Sequence, residues 1–136
     1  MARILGIDFG VKRTGIAVTD PLQMIASGLT TVSTPELMAY LKDYIGKEDV
    51  ELIVIGQPKR MNNEFSDVEQ NIQYFIDALK VEIPEISVVR VDERFTSKIA
   101  FQSMLDTGVK KKDRRKKELL DQVSATVILQ SYLYNR

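Results

Sequence analysis

The sequence predicts an α/β domain built on a mixed five-stranded sheet, with three antiparallel strands followed by two parallel ones and helices flanking them. Three observations carry this expectation. The first quarter of the chain consists of short apolar, β-branched runs joined by turn residues. The rest alternates helix-period with strand-period segments. With 136 residues the chain has the length of one domain, expected to span 1–136. Strands joined by tight turns pair antiparallel, whereas strands separated by a helix need a crossover and run parallel.

Arg3 to Phe9 is an apolar run with β-branched residues, Gly10 to Arg13 a turn, and Thr14 to Thr19 a second strand, so the chain opens as a hairpin. A third strand is expected at Gly28 to Ser33, after the Asp20-Pro21 turn. Thr34 can cap a helix with Pro35 at its first position, and Leu37, Leu41, Tyr44 and Ile45 recur at helical spacing. Glu51 to Gly56 reads as a strand ending in Gly56-Gln57-Pro58, before a polar loop from Lys59 to Glu64. Ser66-x-x-Glu69 is a capping-box pattern, followed by Val68, Ile72, Phe75, Ile76 and Leu79 on one helix face. Ile86 to Val91 is the fifth strand. A helix from Thr96 or Ser97 to Thr107, closed by Gly108, comes next, and a helix from Glu118 to Tyr134 ends the chain.

Composition removes whole classes of function. At 44% apolar and 28% charged residues the chain can build an ordinary core. Its longest apolar stretches, such as Leu52 to Ile55, are strand-length and no membrane contact is expected. Met1-Ala2-Arg3 leads straight into a strand pattern with no cleavage site, so a cytoplasmic location is expected. The absence of Cys and His excludes disulfides, zinc–thiolate sites and nucleophilic triads that use imidazole. The chemistry left is that of carboxylates, Lys, Tyr, hydroxyls and a hard cation.

The formal net charge of zero conceals an asymmetry. Residues 110 to 117 hold seven of the 19 basic residues and one of the 19 acidic ones, so the remainder is acidic. Such a tract suits a polyanion docked at one place, although a solvated loop would have the same composition.

Three acids are candidates for the chemistry. Asp8 ends the first strand within Gly6-Ile7-Asp8-Phe9-Gly10-Val11-Lys12-Arg13-Thr14-Gly15, where the glycines leave backbone accessible and Lys12 or Arg13 can meet an anion. Val91-Asp92-Glu93-Arg94 places two more acids at a strand end. Strand alternation turns them to opposite faces, so one is expected to join Asp8, and Glu93 is taken without the pattern deciding it. Asp121 shares a helix face with Ser124, Ala125 and Ile128. A carboxylate there demands a partner, either a cation or a salt bridge such as one from Lys117. If the first and last strands lie side by side, Asp8 and Glu93 come near each other and the last helix can bring Asp121 to them. Three such carboxylates repel unless Mg²⁺ or Mn²⁺ sits between them.

These segments resemble the YqgF-type family, whose members carry the name pre-16S rRNA nuclease and earlier that of Holliday junction resolvase. The resemblance spans nearly the whole chain, through Ile7 to Val18, Gly56-Gln57-Pro58 with Met61, Asp92 to Ser97, and the Asp121 to Leu129 helix. It implies a ribonuclease-H-like fold, an Asp8, Glu93 and Asp121 site, and a role in maturing the ribosomal RNA precursor. It also selects Glu93 over Asp92. Asn62-Asn63 departs from the glycine turn of many relatives, and Ser124 stands where true resolvases tend to carry a further acid.

The expected mechanism is metal-assisted phosphodiester hydrolysis with one or two Mg²⁺ or Mn²⁺ ions, about 4 Å apart if there are two. Lys12, Arg13 and Arg94 would offset charge on the phosphate. Lys110, Lys111, Lys112, Arg114 and Arg115 would hold the flanking backbone. The expected partner is nucleic acid, with an rRNA precursor favoured over branched DNA, together with the ribosome or its assembly intermediates. The chain itself would be a monomer or weak homodimer. Two other readings are weighed against this one: an actin- or sugar-kinase-type ATPase, which needs a second domain, and a non-catalytic RNA-binding assembly factor.

Overall fold

The computed structural model describes residues 2–57, 68–92 and 115–136, the first four of the last segment by backbone alone. The strands are β1 (Arg3–Asp8), β2 (Arg13–Thr19), β3 (Ala26–Ser33), β4 (Val50–Gln57) and β5 (Ser87–Asp92). The helices are α1 (Leu37–Lys47), α2 (Glu69–Glu82) and α3 (Arg115–Asn135). The expected 96–107 helix, the polar loop from Lys59 to Glu64 with Met61 and Asn62-Asn63, and Ser66 lie outside the described residues.

The sheet has the order β3-β2-β1-β4-β5, with β1, β2 and β3 antiparallel and β1, β4 and β5 parallel. This is the mixed five-stranded sheet that the pattern predicts. The expectation that β1 and the last strand are neighbours is corrected: β4 pairs with both and separates them. The reason is burial. Leu52 to Gly56 are all buried, so both faces of β4 are covered, which suits an interior parallel strand. β5 is half-buried along its length and takes the edge.

Alternation along the strands makes two cores. Leu5, Ile7, Ile16, Ile53 and Ile55 pack with Leu37 and Leu41 of α1 and with Ile72 and Leu79 of α2. Ile4, Ala17, Leu52 and Val54 face Ala125, Ile128 and Leu129 of α3. Among the described residues the long final helix is what covers this sheet face. It comes very close at two glycines: a methyl group at Gly6 would stand 2.8 Å from Leu129 Cβ, and one at Gly15 would overlap the backbone of Asp121. Close approach of this kind is what a residue without Cβ permits. Among the described residues no helix is long and apolar enough to cross a membrane.

Two expected caps are used otherwise. Thr34 and Pro35 open a single 3₁₀ turn, Thr34–Glu36, so Thr34 lies inside the turn rather than capping it, and α1 has no side-chain cap. The Thr34 hydroxyl instead donates to the Gly10 carbonyl and lies 3.0 Å from Thr14 Oγ1. α2 starts at Glu69 after Val68, which has no polar side chain to cap it, and the Glu69 carboxylate is engaged by Arg90. Short polar side chains serve caps and tertiary contacts with equal ease, and here the distant partner wins.

Candidate active site

Asp8 is the last residue of β1 and shares the sheet face of Ile4, which packs under α3. Asp121 lies on the second turn of α3, where the Gly15 approach seats the helix backbone on β2. The two carboxylates are close enough for the Asp121 charge to act on Asp8. Asp8 is pushed up to about 7 from its ordinary 3.8, chiefly by burial and then by Asp121, with a hydrogen bond from the Ser124 hydroxyl opposing the rise. Ser124 is buried one turn after Asp121, so one helix face supplies both neighbours of Asp8.

Arg13, at the start of β2, donates from Nε to Asp121 Oδ2 at 2.6 Å. The sequence left open a salt bridge to Asp121 from the basic tract; the pairing seen comes from the opening hairpin, and the Lys117 side chain lies outside the described residues. The hairpin turn is fixed from below. Thr34 N–H donates to the Lys12 carbonyl at 3.0 Å while its hydroxyl holds Gly10, so the segment carrying Lys12 and Arg13 is tied to the start of α1. Lys12 is exposed at this end of the sheet.

The structure therefore unites Asp8, Asp121 and Arg13, with Lys12 beside them. Glu93, Arg94, Lys110, Lys111, Lys112 and Arg114 lie outside the described residues, and Arg115 is described only as the first backbone position of α3. Asp92 is described, and the phase of β5 decides its face. Val89 and Val91 belong to the core under α3, whereas Arg90, in phase with Asp92, reaches α2. Asp92 thus sits on the sheet face opposite Asp8.

Sequence reasoning did not single out Arg90, and it read Thr34 as a helix cap rather than a tie to the opening hairpin. Arg90 Nη2 lies 2.6 Å from Glu69 Oε1 and 3.1 Å from the Gly56 carbonyl, and its Nε lies 3.2 Å from the Ile55 carbonyl. Gln73 adds a hydrogen bond to Glu69 at 2.8 Å. This half-buried network joins the C-terminal ends of β4 and β5 to the start of α2. An arginine inside a strand flanked by valines, Val89-Arg90-Val91, is the signal that could have found it, since an inward-facing guanidinium needs a carboxylate.

Asp8 and Asp121 are hard oxygen donors whose mutual repulsion a divalent cation would relieve, so the pair suits Mg²⁺ or Mn²⁺. Among the described residues no third acid completes a set of three around them. Gly56 follows Ile55, the register partner of Ile7, and faces Val91 across the next ladder. The position between Asp8 and the end of β5 is therefore held by a residue without a side chain.

The sequence pattern of the RuvX family, described as Holliday junction resolvase, matches residues 2–135. A protein of Christiangramia forsetii is 58% identical over 98% of this chain and 99% of its own length. One of Phocaeicola vulgatus is 57% identical over 100% and 98% respectively. Both are named "Putative pre-16S rRNA nuclease". Among solved structures, T. thermophilus RuvC in complex with a Holliday junction substrate superposes with a TM-score of 0.60 at 14% identity, covering 99% of this chain and 98% of that one. A second Thermus thermophilus RuvC structure gives 0.55 at 13% identity, over 97% of this chain and 96% of that one. At such identities the likeness is one of fold, and that fold is ribonuclease-H-like.

Proposed function

We propose, from the premise that this chain belongs to the RuvX family, that it is a metal-dependent nuclease acting in the processing of the 16S rRNA precursor. The observation that carries the reading is the meeting of Asp8 and Asp121, 113 positions apart in the sequence, on one face of the sheet beneath α3. The relatives' shared name supports the substrate.

Asp8 and Asp121 would hold a Mg²⁺ or Mn²⁺ ion. When bound, the ion supplies an activated water and charge stabilisation for the leaving oxygen. The chain's own groups prepare that chemistry. The Ser124 hydroxyl orients the Asp8 carboxylate, and the Gly15 approach fixes the height of Asp121 above the sheet. Lys12, exposed on a pinned turn, meets the phosphate. Glu93 is the proposed third ligand on the strength of the family resemblance, and the alternation that puts Val89 and Val91 under α3 would, continued past the end of β5, turn position 93 to the Asp8 face. Arg94 would join Lys12 at the scissile phosphate, and the basic residues Lys110, Lys111, Lys112, Arg114 and Arg115 would hold flanking phosphates, which gives salt-sensitive binding with little base preference.

Junction cleavage is the alternative that the family description favours, and Ser124 in place of a further acid weighs against it. Purified protein would be incubated in Mn²⁺ with precursor rRNA, linear RNA, linear DNA and a four-way junction, with Asp121→Asn as control. Cleavage confined to the RNA precursor and lost in the control is expected. Cleavage of the junction alone would reassign the substrate, and cleavage that persists in Asp121→Asn would overturn the site.

A further inference from the structure

Arg13 stands where the proposed reaction must contend with it. Its Nε is 2.6 Å from Asp121 Oδ2, the carboxylate proposed to share the cation with Asp8. A guanidinium has only donors and carries the same sign as the cation, so the two compete for one carboxylate. Arg13 is also able to leave. Its side chain is 37% exposed, against 20% for Asp121, and it projects from the first residue of β2, next to a turn whose backbone Thr34 holds at Lys12. A change of partner therefore needs side-chain rotation alone. The planar fork that pairs with a carboxylate pairs as well with a phosphodiester, and exposed Lys12 next to it already makes that edge cationic.

We propose that Arg13 is a positioning residue that exchanges Asp121 for a substrate phosphate, so that cation binding and nucleic-acid binding each favour the other. In the cation-free chain Arg13 neutralises Asp121 and keeps it beside Asp8. Once a divalent cation takes over that carboxylate, the guanidinium is released toward the phosphate. A phosphate that draws Arg13 away opens Asp121 to the cation, and linkage makes the two effects equal. The inference rests on the metal-site reading above and adds a coupling to it.

The test measures Mn²⁺ binding to the full chain by the loss of its free paramagnetic resonance signal, for wild type, Arg13→Gln, Arg13→Lys and Asp8→Asn. Measurements run with and without a phosphorothioate-substituted RNA hairpin that resists cleavage. Arg13→Gln should bind Mn²⁺ alone about three- to tenfold more tightly than wild type, the range for losing a partly exposed charged partner. Arg13→Lys should stay near wild type. The hairpin should tighten Mn²⁺ binding more in wild type than in Arg13→Gln. In unmutated protein, the Arg13 Nε–Hε resonance should shift on Mg²⁺ addition and saturate with binding, a readout that needs no variant to fold. Equal or weaker Mn²⁺ binding by Arg13→Gln, or an Arg13 resonance that ignores Mg²⁺, overturns the exchange while Asp8→Asn still abolishes binding. If Asp8→Asn binds Mn²⁺ as wild type does, the metal site itself is wrong and the exchange falls with it.

Discussion

Gly15→Ala tests how the helix delivers its carboxylate to the sheet. The added methyl carbon would stand 2.0 Å from the Asp121 carbonyl oxygen and 2.9 Å from Asp121 Cβ. Carbon and carbonyl oxygen normally stay about 3.3 Å apart. Either α3 or β2 must therefore retreat by roughly 1 Å, and backbone on both sides leaves no flexible side chain to yield. Overpacking of this kind costs roughly 1–3 kcal/mol. Ala125, Ile128 and Leu129 would lift from Ile4 and Val54 in the same movement. Gly28→Ala is the control: its methyl would meet Gln122 Cβ and Oε1 at 3.3 Å and no backbone atom that closely, an approach that Oε1 relieves by rotation and Cβ by a shift of a few tenths of an ångström, so a change below about 0.5 kcal/mol is expected. Urea denaturation should lower the Gly15→Ala midpoint by about 1 M, taking a slope of about 1–2 kcal/mol per M. Its Mn²⁺ affinity should fall about 10- to 100-fold, as when support behind a metal ligand is lost. If Gly15→Ala is as stable as Gly28→Ala and binds Mn²⁺ normally, α3 does not seat Asp121 as described.

The raised Asp8 carboxyl makes a pH prediction whose sign follows from proton linkage. With a folded-state value of about 7 against 3.8, the folded chain retains a proton that the unfolded chain releases, so the stability from Asp8 is complete below pH 3.8 and lost as pH rises through 7. In chelator, Asp8→Asn should therefore melt above wild type at pH 8, and the gap should shrink steadily as pH falls from 7 toward 3.8; a gap that does not change with pH would contradict the raised Asp8 carboxyl. Arg90→Met and Glu69→Gln each leave one member of a half-buried ion pair alone, and urea denaturation should show a loss of about 3–5 kcal/mol for the methionine variant. The double variant should recover part of that loss. Additive losses would mean that the pair does not couple the strand ends to α2.

The element order was legible because the periods of 2 and 3.6 residues are written locally, as in Ile72, Ile76 and Leu79 of α2. The neighbour of β1 was harder to read. Parallel pairing is a long-range choice between β4 and β5, and the deciding feature, burial of Leu52 to Gly56 on both faces, became clear only in the folded sheet. Asp8 and Asp121 could be singled out as an acid at a strand end among glycines and an acid on an inward helix face. Their pairing with each other was a topological inference, which the structure places on one face. The Arg13–Asp121 ion pair, 108 positions apart, leaves no local trace. Thr34 and Glu69 read as caps because caps and tertiary ties use the same hydrogen-bonding groups, and sequence does not rank a partner one turn away against one brought in by folding. Arg90 was passed over although the valines on either side of it mark it as a charged residue within an apolar strand, because its partner Glu69, 21 positions away, was already read as part of a helix cap.

The central claim is that carboxylates from the first strand and the last helix close on one divalent cation. The most direct measurement is anomalous scattering from crystals soaked in Mn²⁺. The expected result is a peak about 2.1 Å from oxygens of both Asp8 and Asp121, a distance usual for small hard cations. Mn²⁺ bound elsewhere on the chain, with neither carboxylate within coordination distance, would contradict it.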